Sequence, residues 1–320
     1  MPYHDANMTR PAEIARRYDP RRYDHCVLPC VDLGQARAWL SALGFTVARD
    51  ALHPFGTANA CVYFADDTYL EPLAIHDQAR YDEAIAQGNV FVRHDRAHRG
   101  RADACGFSAI AIKCEDAAGD HSAFVAQGIS AGSVLAFSRP FVTADGQSGE
   151  KGGEKGDEAS FRLAFARMPD MAGPLFFACQ RLNQPVIDRS DLIRHDNGAM
   201  GTSGLILVAA DPHAYRPLFS AIFGQEAIIG EPDGTIVIAC KHQNLHVMPC
   251  ARWNRLAGKQ DAGNDGALRI VAAGFRVPDI EACAGFLSRR GMAFRLKDQR
   301  LLVDPVSGQE ACFYFEENAP

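Results

Sequence analysis

The chain has 320 residues, with 33 Lys plus Arg against 39 Asp plus Glu, a formal net charge of −6 and 11 His. That balance excludes the excess of clustered Lys and Arg that nucleic-acid binding needs. No window approaches the roughly 18 apolar residues of a membrane span, and the N-terminus has no apolar signal core. The class that remains is a cytoplasmic protein that handles a small molecule, with neither nucleic acid nor membrane as partner.

In chain order, residues 1–22 read as a surface extension whose Arg10, Arg16, Arg17, Arg21 and Arg22 form a solvated helix face. A repeated unit then begins. Four times an apolar, strand-like run ends in an acidic residue, a helix-patterned stretch follows, and the stretch stops at Gly. The four pairs are Asp32 and Gly44, Asp116 and Gly128, Asp211 and Gly224, and Asp279 and Gly291, at separations of 12, 12, 13 and 12 residues. Val, Ile and Leu suit a buried pleated face. The acidic side chain can accept from the first orphan N–H groups of a helix, and Gly supplies the left-handed residue that ends one. Trp39, Leu40 and Leu43 make an apolar stripe at helical spacing.

After each Gly the pattern returns to strands: FTVARDALH, NACVYFAD and YLEPLAI in the first copy, and EAIIGEP, TIVIACKH and NLHVMP in the third. The unit is β-α-β-β-β, which is not the one-to-one alternation of a Rossmann fold or a TIM barrel. The fold class expected is therefore α+β, with four βαβββ modules. The polar stretch 145–158 reads as a surface loop inside the second unit. The expected organisation is an extension (1–22), a first domain of modules one and two (23–182), a linker (183–202) and a second domain of modules three and four (203–320). The ten Cys contain no C-x-x-C pair and mostly sit inside apolar runs, as reduced core thiols do. No G-x-S-x-G, G-x-x-x-x-G-K-[ST], H-E-x-x-H or G-x-G-x-x-G signature supports hydrolase or nucleotide chemistry.

The segment from Asp24 to Ile75, with its strand-one His25, the HPFGTAN segment (53–59) and the YLE strand (69–71), resembles the opening of glyoxalase-like domains of the vicinal oxygen chelate superfamily. The resemblance implies that modules pair into two half-barrel, cupped mixed sheets, and that a divalent metal (Fe, Mn, Zn or Ni) sits in a cup, held by residues of the first and last strands. Carried over residue by residue, His25 and Glu71 become metal ligands, Glu71 also the catalytic base. The matching strand of module two, PLFFACQRL, offers Cys179 and Gln180, and Gln180 is taken as a further ligand; Arg181 stands where relatives often carry His. At the position of His25, modules two, three and four have Ser108, Gly204 and Ala272, so the second cup reads as structural, or as a ligand-shaping partner, rather than as a second metal centre.

His53, Thr57 and Asn59 are either turn residues or substrate contacts at the mouth of the cup. Arg162 could face the cup to bind a substrate oxygen, or form a surface ion pair. His195 and His246 read as structural. A carboxylate flanked by Leu70, Pro72 and Leu73 has no apolar explanation and must meet a cation or donors. Two functions follow: a metal-dependent lyase or isomerase, with a ring-cleaving dioxygenase ranked lower, acting on a small oxygenated molecule; or a metal-free sequestering protein of the bleomycin-resistance kind. The resemblance leaves a homodimer open.

Overall fold

The structure, a computed structural model, describes residues 20–101, 106–140, 158–183, 188–241, 243–258, 266–306 and 311–317. Most of the N-terminal extension, the polar stretch 145–157, Cys105 and His242 lie outside the described residues. Of the arginines expected on an exposed extension helix, Arg21 is half-buried and forms a two-pronged ion pair with Asp120 (2.8 and 2.7 Å), so it is an anchor rather than a solvated charge.

Four βαβββ modules are present. The first is β1 (Tyr23–Pro29), α1 (Leu33–Ala42), β2 (Ala51–Leu52), β3 (Thr57–Asn59), β4 (Val62–Tyr63) and β5 (Tyr69–Ile75). Two helices outside the repeat follow, α2 (Gln78–Ala86) and α3 (Val90–Arg99). The second module is β6 (Ala109–Cys114), α4 (Ala117–Ala126), β7 (Leu135–Pro140), β8 (Glu158–Ala166) and β9 (Leu175–Asn183). The third is β10 (Gly201–Ala209), α5 (Arg216–Phe223), β11 (Ile228–Gly230), β12 (Ile236–Ala239) and β13 (Asn244–Pro249). After α6 (Cys250–Ala257) comes the fourth: β14 (Arg269–Val277), α7 (Ile280–Arg289), β15 (Arg295–Lys297), β16 (Arg300–Val303) and β17 (Cys312–Glu317).

The predicted punctuation is observed. Asp32, Asp116, Asp211 and Asp279 each accept from a backbone N–H two or three residues on, at 2.8–3.0 Å. Gly44, Gly128, Gly224 and Gly291 all have positive φ. Two expectations fail locally. Only Ala51–Leu52 of FTVARDALH is strand, because residues 44–50 instead carry the chain across to contacts with the second half. The stretch from 251, expected to be only a spacer, begins as α6, whose Cys250, Trp253 and Ala257 are buried.

In each module the first strand runs parallel to the last: β1 with β5, β6 with β9, β10 with β13 and β14 with β17. Modules join in pairs by antiparallel contacts of β1 with β6 and of β10 with β14. The results are a nine-stranded sheet, β2-β3-β5-β1-β6-β9-β8-β7 with β4 on β5, and an eight-stranded sheet, β11-β12-β13-β10-β14-β17-β16-β15. Alternation gives each sheet two apolar faces. One face of each enters a single shared layer: Cys26, Leu28, Ile110 and Phe176 from the first sheet, and Leu205, Leu207, Phe275 and Phe313 from the second. The module helices bury Leu40, Phe124, Leu218 and Leu287 in the same layer. The two sheets therefore stand back to back, and their other faces look outward. No helix of the described residues is long and apolar enough to cross a membrane.

Phe45, just after α1, knits the halves together. Its ring lies 4.9 Å from Phe275, 5.9 Å from Phe315 and 6.1 Å from Phe64, and it is 3% exposed. Replacing a buried Phe by Ala costs about 3–5 kcal/mol. Phe45→Ala should lower the urea midpoint while fluorescence and circular dichroism still report one coincident transition. Two separated transitions would show that the sheets fold independently.

Candidate functional site

The outward face of the second sheet is filled. α6 presses Cys250, Trp253 and Ala257 onto Ile206, Val208, Met248, Leu302 and Tyr314. The outward face of the first is filled only at one end, where Tyr81 and Ala84 of α2 and Phe91 and Val92 of α3 pack on Val27, Leu73, Ala109 and Phe177. These helices are tied down by Arg99, which donates to Cys30 O and Leu73 O (both 2.8 Å) and to Asp95 (2.7 Å); Asp95 also accepts from the Tyr81 hydroxyl. What is left open is a cavity of about 40 Å³, room for a few water molecules. Phe55, Phe91, Phe137, Phe161 and Phe177 wall it, and its polar lining is His25, His53, Asn59, Glu71 and Arg139, with Tyr69 and Cys179.

His25 and Glu71 come together there from β1 and β5, with Nε2 3.2 Å from Oε2. Behind them the β1–β6 register shifts between Tyr23 and His25. A bulge places an extra residue in one strand and re-aims the side chains beside it, so Asp24 reaches its sequence neighbour: Asp24 Oδ1 lies 2.6 Å from His25 Nδ1. Arg181, from β9, closes the row by donating to both Asp24 oxygens at 2.7 and 2.6 Å. Its guanidinium lies over the Tyr69 ring, and Tyr69 stacks on His25 at 4.2 Å. The sequence from Arg181 to Glu71 thus alternates in sign.

The electrostatics follow from that alternation. Burial alone would push Asp24 up, but the Arg181 charge and the His25 hydrogen bond outweigh it and bring it down to about 2. Burial likewise works against an ionised Glu71, yet the hydrogen bond and charge of His25, with His53 and Asn59, bring it to about 2. For His25, burial disfavours the cation, but bonds to Asp24 and Glu71 prevail and raise it. His25 is therefore held as an imidazolium between two carboxylates.

His53, Thr57 and Asn59 lie inside, buried beside Glu71, rather than at a mouth. Asn59 Nδ2 donates to Glu71 Oε1 at 2.6 Å. His53 Nδ1 bonds Thr57 Oγ1 at 2.8 Å, and its Nε2 lies 3.9 Å from Glu71 Oε1. Burial, then the Arg139 charge, lower His53 to about 3, so the imidazole is neutral. With the Nδ1 proton on Thr57, Nε2 keeps its lone pair. The turn holding this group depends on Gly56, at φ +86°, where a Cβ would come within 2.5 Å of Tyr81 N and Asp77 O.

Two expected residues are not brought in. Arg162 is exposed, because alternation along β8 gives the cup Phe161 and Leu163 instead. Gln180 also points away, since its amide bonds Glu115 O and the Ala117 N–H. The side chains that reach this group instead are Arg181 and Arg139. Arg181 shares a strand face with Phe177 and Cys179, four and two residues back. Arg139, with Phe137 on β7, reaches the cup, donating to Asn59 Oδ1 at 3.4 Å. His195 is structural: Nδ1 accepts from Thr46 N, and Nε2 lies 3.0 Å from Tyr63 O.

A divalent cation fits these donors in kind but not in number. Imidazole and carboxylate suit Fe, Mn, Zn or Ni, and a carboxylate behind Nδ1 is the usual support of a ligating His. Catalytic sites ordinarily take three protein donors, and among the described residues no three His, Cys, Asp or Glu side chains form a group that could hold a metal ion.

Linkage gives the row a pH signature. Asp24 and Glu71 are lowered, so their contribution is present above the unfolded value near 4 and fades as pH falls towards 2. His25 is raised, so its contribution is present below about 6.5 and lost as pH rises through its folded value. The contribution of this row should therefore be largest at about pH 4.5–6.5, while His53, lowered to about 3, works against it as pH falls below about 6.5. Asp24→Asn, which strands Arg181, should cost about 3–5 kcal/mol at pH 5.5; urea titrations at pH 2.5, 5.5 and 8.5 check both statements.

The family model for the glyoxalase-like domain matches residues 23–223. No curated protein matches the chain in sequence. In fold the chain is similar to a hypothetical protein from Staphylococcus aureus (11% identity, TM-score 0.59, covering 92% of this chain and 99% of that one). It is also similar to a mutant of 4-hydroxymandelate synthase from Streptomyces coelicolor (12%, 0.55, 93% and 92%). The Mn(II)-bound glyoxalase from Novosphingobium aromaticivorans is a third (10%, 0.51, 94% and 84%). The chain belongs to the glyoxalase-like domain family and has the vicinal oxygen chelate fold.

Proposed function

We propose that this member of the glyoxalase-like domain family is an enzyme of the lyase or isomerase type, which moves a proton next to a carbonyl in a small, largely apolar substrate. The reading rests on one observation above all: a buried ion pair, His25 and Glu71, opens onto an aromatic-walled cavity while its far end is neutralised by Asp24 and Arg181. A carboxylate held ionised beside a water-poor cavity is in the protonation state a base needs, and the geometry sets it against a bound carbon acid.

Asn59 holds Oε1 of Glu71, which leaves Oε2 to take the proton. His25, already protonated and directed at the same oxygen, can pass its proton to the developing oxyanion or take one back through Glu71. Arg139 and the amide of Asn59 orient the substrate oxygen, and the phenylalanines exclude water and hold the apolar part. Where a relative carries a metal, as the Mn(II)-bound glyoxalase does, His25 and Glu71 are the side chains of this chain that would hold it, and it would polarise a substrate oxygen.

The test is solvent-deuterium exchange. A panel of small aliphatic keto and hydroxy acids is incubated with protein in D2O and followed by proton NMR. Wild type should incorporate deuterium next to the carbonyl of at least one compound. Glu71→Gln should lose that activity by about 10³-fold or more, His25→Ala likewise, and Arg162→Ala should keep it. Ligand affinity that survives Glu71→Gln without exchange in wild type would instead assign the cup to sequestration. Protein purified without chelators should carry well under one equivalent of transition metal; a full equivalent lost in His25→Ala would replace this reading with a cation-assisted one.

A further inference from the structure

The row from Arg181 to Glu71 balances its own charge, two cations against two carboxylates. His53 is neutral and adds none. Arg139 is the fifth charge of the cup, and the row leaves nothing to offset it. It lines the cavity from β7 and is half-buried. Among the described residues it meets no carboxylate. Its side chain makes one long hydrogen bond, 3.4 Å to Asn59 Oδ1, and its guanidinium lies 5.6 Å from the Phe161 ring. A guanidinium has five N–H donors, so most of those on Arg139 find no acceptor among the described residues.

Glu71 shares the cavity with Arg139, yet the two form no ion pair. Asn59 keeps them apart. Its Nδ2 donates to Glu71 Oε1 at 2.6 Å, while its Oδ1 accepts from Arg139. The orientation of the amide follows from its partners, since a carboxylate only accepts and a guanidinium only donates. Cation and base thus face the cavity from the two ends of one side chain. The other strong donors are engaged already, Arg181 by Asp24, and His25 by Asp24 and Glu71. A ligand carboxylate would offset the Arg139 charge and match the fork of its N–H groups. It would also carry an apolar chain for the walls of Phe55, Phe137 and Phe161. Space for a few water molecules admits only a short one.

We propose that the cup selects a short-chain monocarboxylic acid, its carboxylate held by the fork of Arg139 and its carbon chain running past Asn59 to Glu71. Arg139 is then the residue that determines substrate class. The proposal rests on the reading of the cup as the working site, and it narrows the substrate there from any small carbonyl compound to an acid. A neutral analogue of the same skeleton leaves the guanidinium without its counter-charge.

The experiment is calorimetric titration of the full chain at pH 7 and fixed ionic strength. The probes are pyruvate and 2-oxobutanoate, each beside its primary amide, which keeps the skeleton and loses the charge. At least one acid should bind with one site per chain and at least about tenfold tighter than its amide. Arg139→Gln should weaken that acid at least about tenfold and bring it level with the amide. Arg139→Lys, which keeps the charge but not the fork, should fall between. Arg162→Gln, exposed on the neighbouring strand, should change neither. An amide bound as tightly as its acid, no binding of either acid, or an acid whose affinity survives Arg139→Gln would overturn the proposal. Should Arg139→Gln not fold, judged by circular dichroism, Arg139→Lys and the acid–amide comparison in wild type decide. The deuterium-exchange test fails separately: an acid bound through Arg139 without exchange sinks the proton-transfer reading and leaves this one. Exchange into an amide as fast as into its acid does the reverse.

Discussion

Everything the cup could do depends on keeping four charges out of water. Arg181, Asp24, His25 and Glu71 alternate in sign from β9 through β1 to β5, and each neighbour offsets part of the desolvation of the next. Single removal is therefore more damaging than the geometry of any one bond suggests, since it leaves the adjacent group buried without a counter-charge. The same alternation keeps Glu71 ionised in a place whose walls are phenylalanine.

Among the described residues, the first sheet keeps an open cup on its outward face and the second does not, and packing explains why. The apolar backs of both sheets are consumed in a common layer with the module helices. Of the two outward faces, the second is stoppered by α6 and Trp253. The first is covered by α2 and α3 over only part of its area, Arg99 fixing where the cover ends. The inserted helices lie outside the repeat, so they decide which copy of an otherwise common scaffold remains accessible.

The repeat, its caps and its terminal glycines were legible because they are local: a cap and its N–H groups lie within three residues, and alternation needs only one strand. His25, Glu71, His53 and Asn59 were legible for the same reason, combined with a resemblance confined to that module. Arg139 and Arg181 were not, and the sequence pointed to Arg162 and Gln180 in their places. Each error is one of phase. In β8 the cup-facing residues are Phe161 and Leu163, and in β9 they are Phe177, Cys179 and Arg181, so the polar residue chosen was one step out each time. The helices α2, α3 and α6 escaped because their faces are apolar only against partners far away in sequence.

The bulge at Asp24 carries a consequence for how this protein can change. A substitution at His25 or Glu71 alters chemistry but leaves the sheet in step. Losing the single extra residue, Asp24, would restore regular pleating to β1, remove the acidic support of the imidazole and swing Tyr23 and the side chains upstream of it to the opposite side. The smallest genetic event that dismantles the arrangement as a whole is thus a three-base deletion, and its damage would be felt in the strand's N-terminal end while the buried apolar row from Cys26 onward stayed where it was.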